Sequence, residues 1–452
     1  MRLFGKGIAA FAITLLTLIL LFVGVALIPG NAVKNNLTES AGYMLENESD
    51  FYYLREGYHN TALYDYADCL TLNILYSIGE GNALSDIFIS PMYSGGTDTD
   101  PIEMLIARLS DGSSSDTIYD RYWHGMVIPV KLLALIMDIR GMRIVFLLAV
   151  SALMIVLSRK LWKVGQKLPV VMLWLAGVMV MLPIGTLSIT YVPTILIMFA
   201  ASIVMTRIYD DREKIVLLMI CTGVMTAFFD FLTTETLTIV LPTAIGLILG
   251  ADMVYSLIGC IAWLASYVLT YLIKWWASGL VLGSDQIGMA LAGATTRQGG
   301  GDIILAADMI NASDAEAILD GTYPRGVVAV LINIKQLTGL DPMISMSDII
   351  TAIVLALIAV ACLIYLYGLR GRKLIRPAVI VGVGFIPILR FCVMNNHSIE
   401  HGFFTYRALY ATIFCLVTGI ALMIDRDLIL KKGKSNGKTV KTKKKKTGGH
   451  RT

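Results

Sequence analysis

The chain opens with the apolar run GIAAFAITLLTLILLFVGVALIP at residues 7–29, directly after the basic residues Arg2 and Lys6. A membrane-spanning helix needs about 20 mostly apolar residues, whereas a cleaved secretory signal has an apolar core of only about 7–15. The length of this run therefore predicts a retained signal-anchor helix over residues 1–29. It also makes a membrane protein the first expectation for the whole chain.

The composition of the chain agrees with that expectation. Hydrophobic residues make up 56% and charged residues 15% of the 452 positions, and the mean hydropathy is +0.71. Soluble proteins carry about 25% charged residues, so an ordinary soluble enzyme and extended disorder are both excluded. Five of the six cysteines lie in or beside apolar stretches, and Cys69 alone lies in a polar region, which excludes a disulfide framework.

Nine further apolar runs extend the pattern to about ten transmembrane helices. Together they predict an all-α polytopic membrane protein. The runs cover residues 143–158, 169–186, 188–206, 215–229, 236–250, 254–273, 349–369, 377–394 and 404–424.

Basic residues in the short loops predict the orientation of the chain. Lys and Arg cluster near residues 159–167, 207–214 and 370–376 and in the tail, whereas the loops near residues 187, 230–235 and 395–403 have none. Cytoplasmic loops carry the excess of Lys and Arg in membrane proteins. With an even number of spans, the pattern predicts a multi-pass protein of the cell membrane with both termini in the cytoplasm.

Three regions follow the signal anchor. Residues 30–126 form a predicted acidic extracytoplasmic domain, and positions 31–125 within it carry fifteen acidic and four basic residues. Residues 127–426 form the membrane core, with a second large outer loop at 275–347. The last region, 427–452, is a basic cytoplasmic tail that we expect to be disordered and to contact anionic lipids, not nucleic acid.

The net charge of +4 conceals this uneven distribution. Ten of the 37 basic residues lie in the tail beyond position 430, which leaves 27 basic and 33 acidic residues in the rest of the chain. The body of the protein is therefore acidic, and the excess of eleven acidic residues in the first outer domain is larger than the excess of six in the whole body.

Ionisable side chains at membrane depth are expensive to bury, so they are the first candidates for function. In this sequence they gather at the predicted outer ends of the spans and in the acidic domain. Asp65 and Asp68 are three residues apart, so a helix places both on one face. The full set of candidates is Asp65, Asp68, His124, Lys131, Asp230, Arg390, His397, His401 and Arg407.

Each candidate also has a purely structural explanation. Asp65 and Asp68 are two of many acids in their domain and can be solvated surface charges. Asp230 can cap a helix end, and Arg390 can extend from a span to the membrane interface. Basic residues on an interfacial helix, such as Lys131, most often bind lipid phosphates.

Residues 397–401 match H-x-x-E-H, a reversed zinc-protease pattern with two histidine ligands and a glutamate base. That chemistry needs both imidazoles on one helix face and a third ligand elsewhere. Here the pattern lies in a short loop between spans, so hydrogen bonding to a phosphate or sugar is the preferred interpretation. No G-x-x-x-x-G-K-[S/T] loop is present, so no nucleotide cofactor is expected, whereas a divalent metal remains open.

Four segments together resemble a family of uncharacterised bacterial multi-span membrane proteins. They are YDYADCLTLN at 64–73, YWHG at 122–125, FDFLTT at 229–234 and HSIEHGFFTYR at 397–407. The plan of that family is similar to that of the GT-C class glycosyltransferases, which have a first span, a large acidic outer loop, a many-helix body and an outward-facing site.

The resemblance implies an enzyme that transfers a sugar from a polyprenyl-phosphate donor to a cell-envelope acceptor on the outer face. It makes Asp68 the first choice and Asp65 the second for the catalytic acid, and the other candidates substrate-binding residues. Membrane lipids and a lipid-linked sugar are then the expected partners. Two alternatives remain. A transporter or lipid-linked-glycan flippase would carry charges along a central path, and a non-catalytic envelope scaffold would bind a partner through its acidic loop.

Overall fold

Helices account for nearly all regular structure in the protein. The computed structural model is about 80% helical, so the prediction of an all-α fold is confirmed. The structure describes residues 2–46, 51–53, 59–96, 100–110, 112–300, 316, 318, 320–337, 345–367 and 374–424. The predicted basic tail at 427–452 lies outside these residues.

Residues 30–126, between the first two long helices, are called the outer segment after their predicted location. This segment is a small helical unit with two short ribbons. Strand β1 (Phe51–Tyr53) pairs antiparallel with β2 (Ala62–Tyr64), and β3 (Pro91–Met92) pairs antiparallel with β4 (Thr117–Ile118). Its helices are α2 (Lys34–Glu46), α3 (Asp65–Ser77), α4 (Ala83–Ile89) and α5 (Pro101–Ser110).

The remaining helices form the membrane body and the elements at its ends. The first are α1 (Arg2–Ala26), α6 (Val127–Ala134), α7 (Ile139–Lys163), α8 (Lys167–Met179), α9 (Leu182–Leu187), α10 (Val192–Ile208), α11 (Arg212–Phe229), α12 (Leu237–Leu249) and α13 (Met253–Leu282). The last are α14 (Gln286–Thr295), α15 (Arg325–Gln336), α16 (Met346–Tyr367), α17 (Ile375–Gly384), α18 (Ile386–Val393), α19 (Asn395–Glu400), α20 (Gly402–Thr405) and α21 (Leu409–Met423). The predicted outer loop at 275–347 thus begins inside α13, which continues to Leu282.

Five helical segments among the described residues are long and apolar enough to cross a membrane. They are Arg2–Ala26, Ile139–Lys163, Met253–Leu282, Ile375–Val393 and Gly402–Met423. The predicted count of ten is therefore wrong by this measure of length and composition. Four further apolar helices are shorter, at Lys167–Met179, Val192–Ile208, Leu237–Leu249 and Met346–Cys362.

The difference arises because hydropathy does not register where a helix breaks. The predicted run at 169–186 is a single apolar stretch in the sequence, but α8 ends within it at Met179. Met181 then adopts φ 48°, in the left-handed region, and Pro183 opens the new helix α9. The predicted run at 215–229 lies on α11, whose first turn carries three charged residues.

Helix α12 is the centre of the body. Every residue from 237 to 247 is buried, and α10, α11, α13, α17 and α21 pack around it. Its polar contacts are interhelical: the Thr226 and Thr238 hydroxyls lie 2.8 Å apart, and Trp263 Nε1 donates to Thr238 Oγ1 at 3.1 Å. Such hydrogen bonds contribute about 0.6 kcal/mol each between membrane helices, so dispersion packing holds most of this core together.

Two buried lysines fasten the outer segment to the body. Lys131 Nζ donates to Ile78 O at 2.9 Å, and Lys274 Nζ donates to Phe88 O at 2.5 Å. Both carbonyls lie at the C-terminal ends of outer helices, where the helix dipole favours a positive charge. Burial lowers the pKa of Lys131 to about 8. This placement gives Lys131 a structural partner in the protein backbone.

Candidate functional site

A cavity of about 390 Å³ lies where the outer segment meets one end of the helical body. Helix α3 and residues 119–124 form one side of it. The loops before α10 and α12 form a second side. The region from 293 to 297 and residues 397–404 complete the wall. Elements distant in sequence therefore converge on this one space.

The wall combines aromatic rings with charged and neutral polar groups. Arg297 Nη2 donates to the Tyr122 hydroxyl at 3.1 Å, and its guanidinium lies 5.9 Å from the centroid of the same ring. Arg121 lines the cavity beside them, and Glu400 is the one carboxylate among the described lining residues. The other aromatic and histidine residues of the wall are Tyr66, Tyr119, Tyr191, Phe231, Phe404, His124, His397 and His401.

His397 and His401 belong to the wall, and their rings lie 4.7 Å apart. Arg390 Nη2 lies 3.3 Å from His397 Nδ1. Because a guanidinium only donates, Nδ1 accepts this bond and Nε2 carries the ring proton. Burial and the Arg390 charge lower the pKa of His401 to about 4 and that of His397 well below its usual range. Both imidazoles are therefore neutral at physiological pH.

The H-x-x-E-H pattern does not form a helix-borne ligand pair. Helix α19 ends at Glu400, and His401 leaves it with φ −111° and ψ 27°. Among the described residues, no group of three His, Cys, Asp or Glu side chains is placed to hold a metal ion. The pattern therefore has no third ligand in the part of the chain that the structure describes. The stacking of His401 on Phe404, with centroids 5.2 Å apart, suits an aromatic wall better than a metal centre.

Asp68 lies directly behind the cavity wall and not in it. It is fully buried and accepts hydrogen bonds from Arg143 Nη2 at 3.0 Å, Ser188 Oγ at 2.8 Å and Thr190 Oγ1 at 3.0 Å. The backbone N–H groups of Ile189 and Thr190 also donate to it, at 3.3 and 3.2 Å. Thr190 itself lines the cavity. A carboxylate engaged in this way is a poor base for a substrate hydroxyl, so its position does not support the predicted role.

Asp65 shares the same guanidinium. Arg143 Nη2 donates to Asp65 Oδ1 at 2.5 Å, and burial raises the pKa of this carboxyl while Arg143 opposes the rise. Asp65 does not line the cavity, so the position of this second predicted catalytic residue gives no support to a direct role either.

Asp230 and Arg390 also lie one layer behind the wall. Asp230 accepts from the backbone N–H of Thr233 at 3.1 Å, and burial with the neighbouring Glu235 raises its pKa. Arg390 donates to Glu235 Oε1 at 2.7 Å and to Leu232 O at 2.8 Å. Together these contacts fix the loop between α11 and α12, whose Thr233 reaches the cavity.

The remaining predicted binding residues divide between the wall and the interior. His124 lines the cavity, but Arg407 and Lys131 do not. Arg407 is buried and donates to Phe403 O at 3.1 Å and to Asn60 O at 3.4 Å. Like Lys131, it binds backbone carbonyls, so its charge is used inside the protein.

Sequence reasoning missed Arg121 and Arg297, the two cations of the wall. Arg121 directly precedes the YWHG segment, so its position beside a recognised motif was an available signal. Arg297 lies in the polar stretch TTRQGG of the predicted outer loop, where nothing in the sequence links it to Tyr122, 175 positions away. Glu400 was visible as part of H-x-x-E-H, but that pattern pointed to zinc chemistry.

Removing the buried cation of the acidic pair should be strongly destabilising. We expect Arg143→Met to lower the free energy of unfolding by about 3–5 kcal/mol, because it leaves two buried carboxyls without their partner. Thermal and denaturant unfolding of the detergent-solubilised protein measures the change. Arg140→Met is the matched control, since Arg140 pairs with Asp138 at the same helix end with 56% of its side chain exposed. Equal stability of the two variants would contradict a structural role for Arg143.

No protein-family model, curated protein or solved structure matches this chain. The similarity of its plan to GT-C enzymes is therefore an architectural expectation. What the cavity does must follow from its own side chains.

Proposed function

We propose that the protein is an integral membrane glycosyltransferase that transfers a sugar from a polyprenyl-phosphate donor to a cell-envelope acceptor. The observation that carries this proposal is the presence of two guanidinium groups, several aromatic rings and one carboxylate in the wall of one cavity at one end of membrane helices. A phosphate, a sugar and an acceptor hydroxyl need these three kinds of group. The volume of about 390 Å³ is in the range of small-molecule sites.

The phosphate of the donor binds near Arg121 and Arg297. Guanidinium groups match phosphate oxygens with paired, charge-assisted hydrogen bonds. The Tyr122 hydroxyl, which already accepts from Arg297, adds a neutral donor beside them because burial raises its pKa and keeps it protonated. The ends of membrane helices lie at the depth of lipid headgroups, which is where the phosphate of a lipid-linked sugar resides.

The sugar lies against the aromatic part of the wall. Tyr119, Phe231 and Phe404 offer flat apolar faces. The neutral histidines and Thr233 provide hydrogen bonds without adding charge. A wall of this kind suits an uncharged polyol next to a charged phosphate.

Glu400 takes the proton of the acceptor hydroxyl. In the transfer step, the acceptor oxygen forms a new bond to the anomeric carbon, and the bond from that carbon to the phosphate oxygen breaks. The leaving polyprenyl phosphate retains the electron pair, and Arg121 and Arg297 stabilise its added negative charge. The acceptor proton moves to Glu400, which must lie within about 2.6–3.2 Å of it or act through one water.

The distribution of polar groups favours this proposal over a transporter or flippase. Transport requires charged or polar sites along a path through the bilayer. In the described residues, the buried salt bridges Arg143–Asp68 and Arg390–Glu235 lie next to the cavity, at one end of the body. The central helix α12 carries threonines but no charged residue.

Loss of a wall cation should weaken donor binding. We expect Arg297→Gln to raise the Kd for a farnesyl-phosphate sugar by about 10- to 100-fold, because a charged hydrogen-bonding partner of the phosphate is lost. Titration calorimetry in lipid nanodiscs measures the affinity. Arg212→Gln is the control, since Arg212 pairs with Asp252 at the opposite end of the body. An unchanged Kd for Arg297→Gln would remove this residue from the phosphate site.

Loss of the Glu400 carboxylate should affect the rate of sugar transfer but not the affinity for the donor. We expect Glu400→Gln to bind the donor normally but to lower the transfer rate by about 10²- to 10⁴-fold, because an amide cannot accept the hydroxyl proton. Sugar transfer to extracted envelope acceptors is followed with a radiolabelled donor. Asp68→Asn, in contrast, should lose thermal stability first. Full transfer activity in Glu400→Gln would exclude Glu400 as the base.

The proposal requires the cavity to face the outside of the cell. In a background without the six native cysteines, Asp320→Cys should react with an impermeant maleimide in intact cells. Asp320 is exposed in the turn before α15, whose Arg325 donates to Gly299 O. Lys163→Cys, at the far end of the 25-residue helix α7, should react only after permeabilisation. The reverse labelling pattern would place the cavity on the cytoplasmic side.

A further inference from the structure

His124 has an unusual backbone conformation that its surroundings enforce. Its φ is 55°, in the left-handed region that non-glycine residues seldom adopt. The residues on both sides are anchored: Trp123 Nε1 donates to Thr270 O at 3.0 Å, and Gly125 N donates to Phe228 O at 2.9 Å. Strain of this kind is unfavourable and persists where neighbouring contacts over-determine it, often at binding sites.

The imidazole of His124 is fixed in one tautomer. Nε2 lies 2.8 Å from Tyr119 O, and because a carbonyl oxygen only accepts, Nε2 must carry the ring proton. The rings of Tyr119 and Phe231 pack against the imidazole with centroid distances of 5.1 and 4.9 Å. Nδ1 therefore presents a lone pair in a ring that cannot rotate freely.

That lone pair has no partner among the described residues. Nδ1 is buried and unbonded, and His124 as a whole is 2% exposed although it forms part of the cavity wall. A buried acceptor without a donor is unfavourable, so such groups usually face a ligand or a bound water. Burial and the charge of Lys274 lower the pKa of His124 to about 3, so protonation does not relieve the deficit.

We propose that His124 forms a hydroxyl subsite, in which Nδ1 accepts a hydrogen bond from a hydroxyl group of the bound sugar. This inference rests on the proposed function and deepens it, because it requires a neutral hydrogen-bond donor in the ligand. A metal cation is the less suitable occupant, since Lys274 places positive charge near the ring. Occupation of the subsite by a hydroxyl satisfies the acceptor that the strained backbone holds in place.

Two substitutions test the acceptor without imposing new strain. His124→Asn keeps an acceptor oxygen near the Nδ1 position, and His124→Gly removes the acceptor. Both residues adopt the left-handed backbone more readily than others, so both variants should fold. Thermal unfolding checks this before binding is measured.

The probes are farnesyl-phosphate esters of glucose, galactose and mannose, each with a series of single-deoxy analogues. In nanodiscs, His124→Gly should bind the preferred ester about 3- to 10-fold more weakly than the wild type, and His124→Asn should recover most of the loss. For the wild type, one deoxy analogue should bind more weakly than the full ester by the same factor. His124→Gly should bind that analogue and the full ester equally well. Equal affinity of His124→Gly and the wild type would overturn the inference.

Nitrogen NMR of histidine-labelled protein without ligand gives a second, independent test. The wild type should show one protonated nitrogen and one bare nitrogen for His124 between pH 6 and 8. A protonated Nδ1 would overturn the subsite whatever the ligand results. If the wild type binds none of the esters, the proposed function fails and the sugar subsite fails with it. If it binds them and no deoxy analogue shows coupling to His124, the subsite alone is wrong.

Discussion

The bridge from Arg143 to Asp65 and Asp68 is the contact on which the arrangement of the site depends. Arg143 belongs to a membrane helix, and the two aspartates belong to the first turn of α3 in the outer segment. Because buried charges are costly without partners, this cluster holds α3 in one position. The opposite face of the same helix, with Tyr66 and Leu70, then becomes a wall of the cavity. The two aspartates therefore hold this wall in position without lining the cavity themselves.

Three polar residues of the wall each have a charged partner in the layer behind them. Thr190 donates to Asp68, Thr233 donates to Asp230, and His397 accepts from Arg390. The charged members of these pairs were predictable from the sequence, since ionisable residues near membrane depth stand out in an apolar chain. Most of the wall was not predictable, because threonines and tyrosines are common in such helices. Their convergence depends on loops that meet only in the folded chain.

The fold was predictable at the level of class and less so in detail. The apolar run at 7–29 and the low charge content correctly indicated a helical membrane protein. The number of spans was not predictable from hydropathy, because the left-handed residue Met181 interrupts an apolar run without changing its hydropathy. Arg297 was missed for a related reason. Its contact with Tyr122 joins positions 175 residues apart, and no local pattern encodes that distance.

The division into wall and supporting layer also governs how loss of function in this protein must be interpreted. Asp68 is the residue that the family resemblance marks most strongly, yet five hydrogen bonds hold it inside the protein. We expect any substitution there to disturb the packing of α3, so a loss of activity would not show that the carboxylate touches substrate. Glu400 and His124 border the cavity itself, so we expect changes at these positions to act on a bound ligand directly. Substitutions of wall residues are therefore the decisive test of a chemical role, because their effects on folding and on binding can be measured separately.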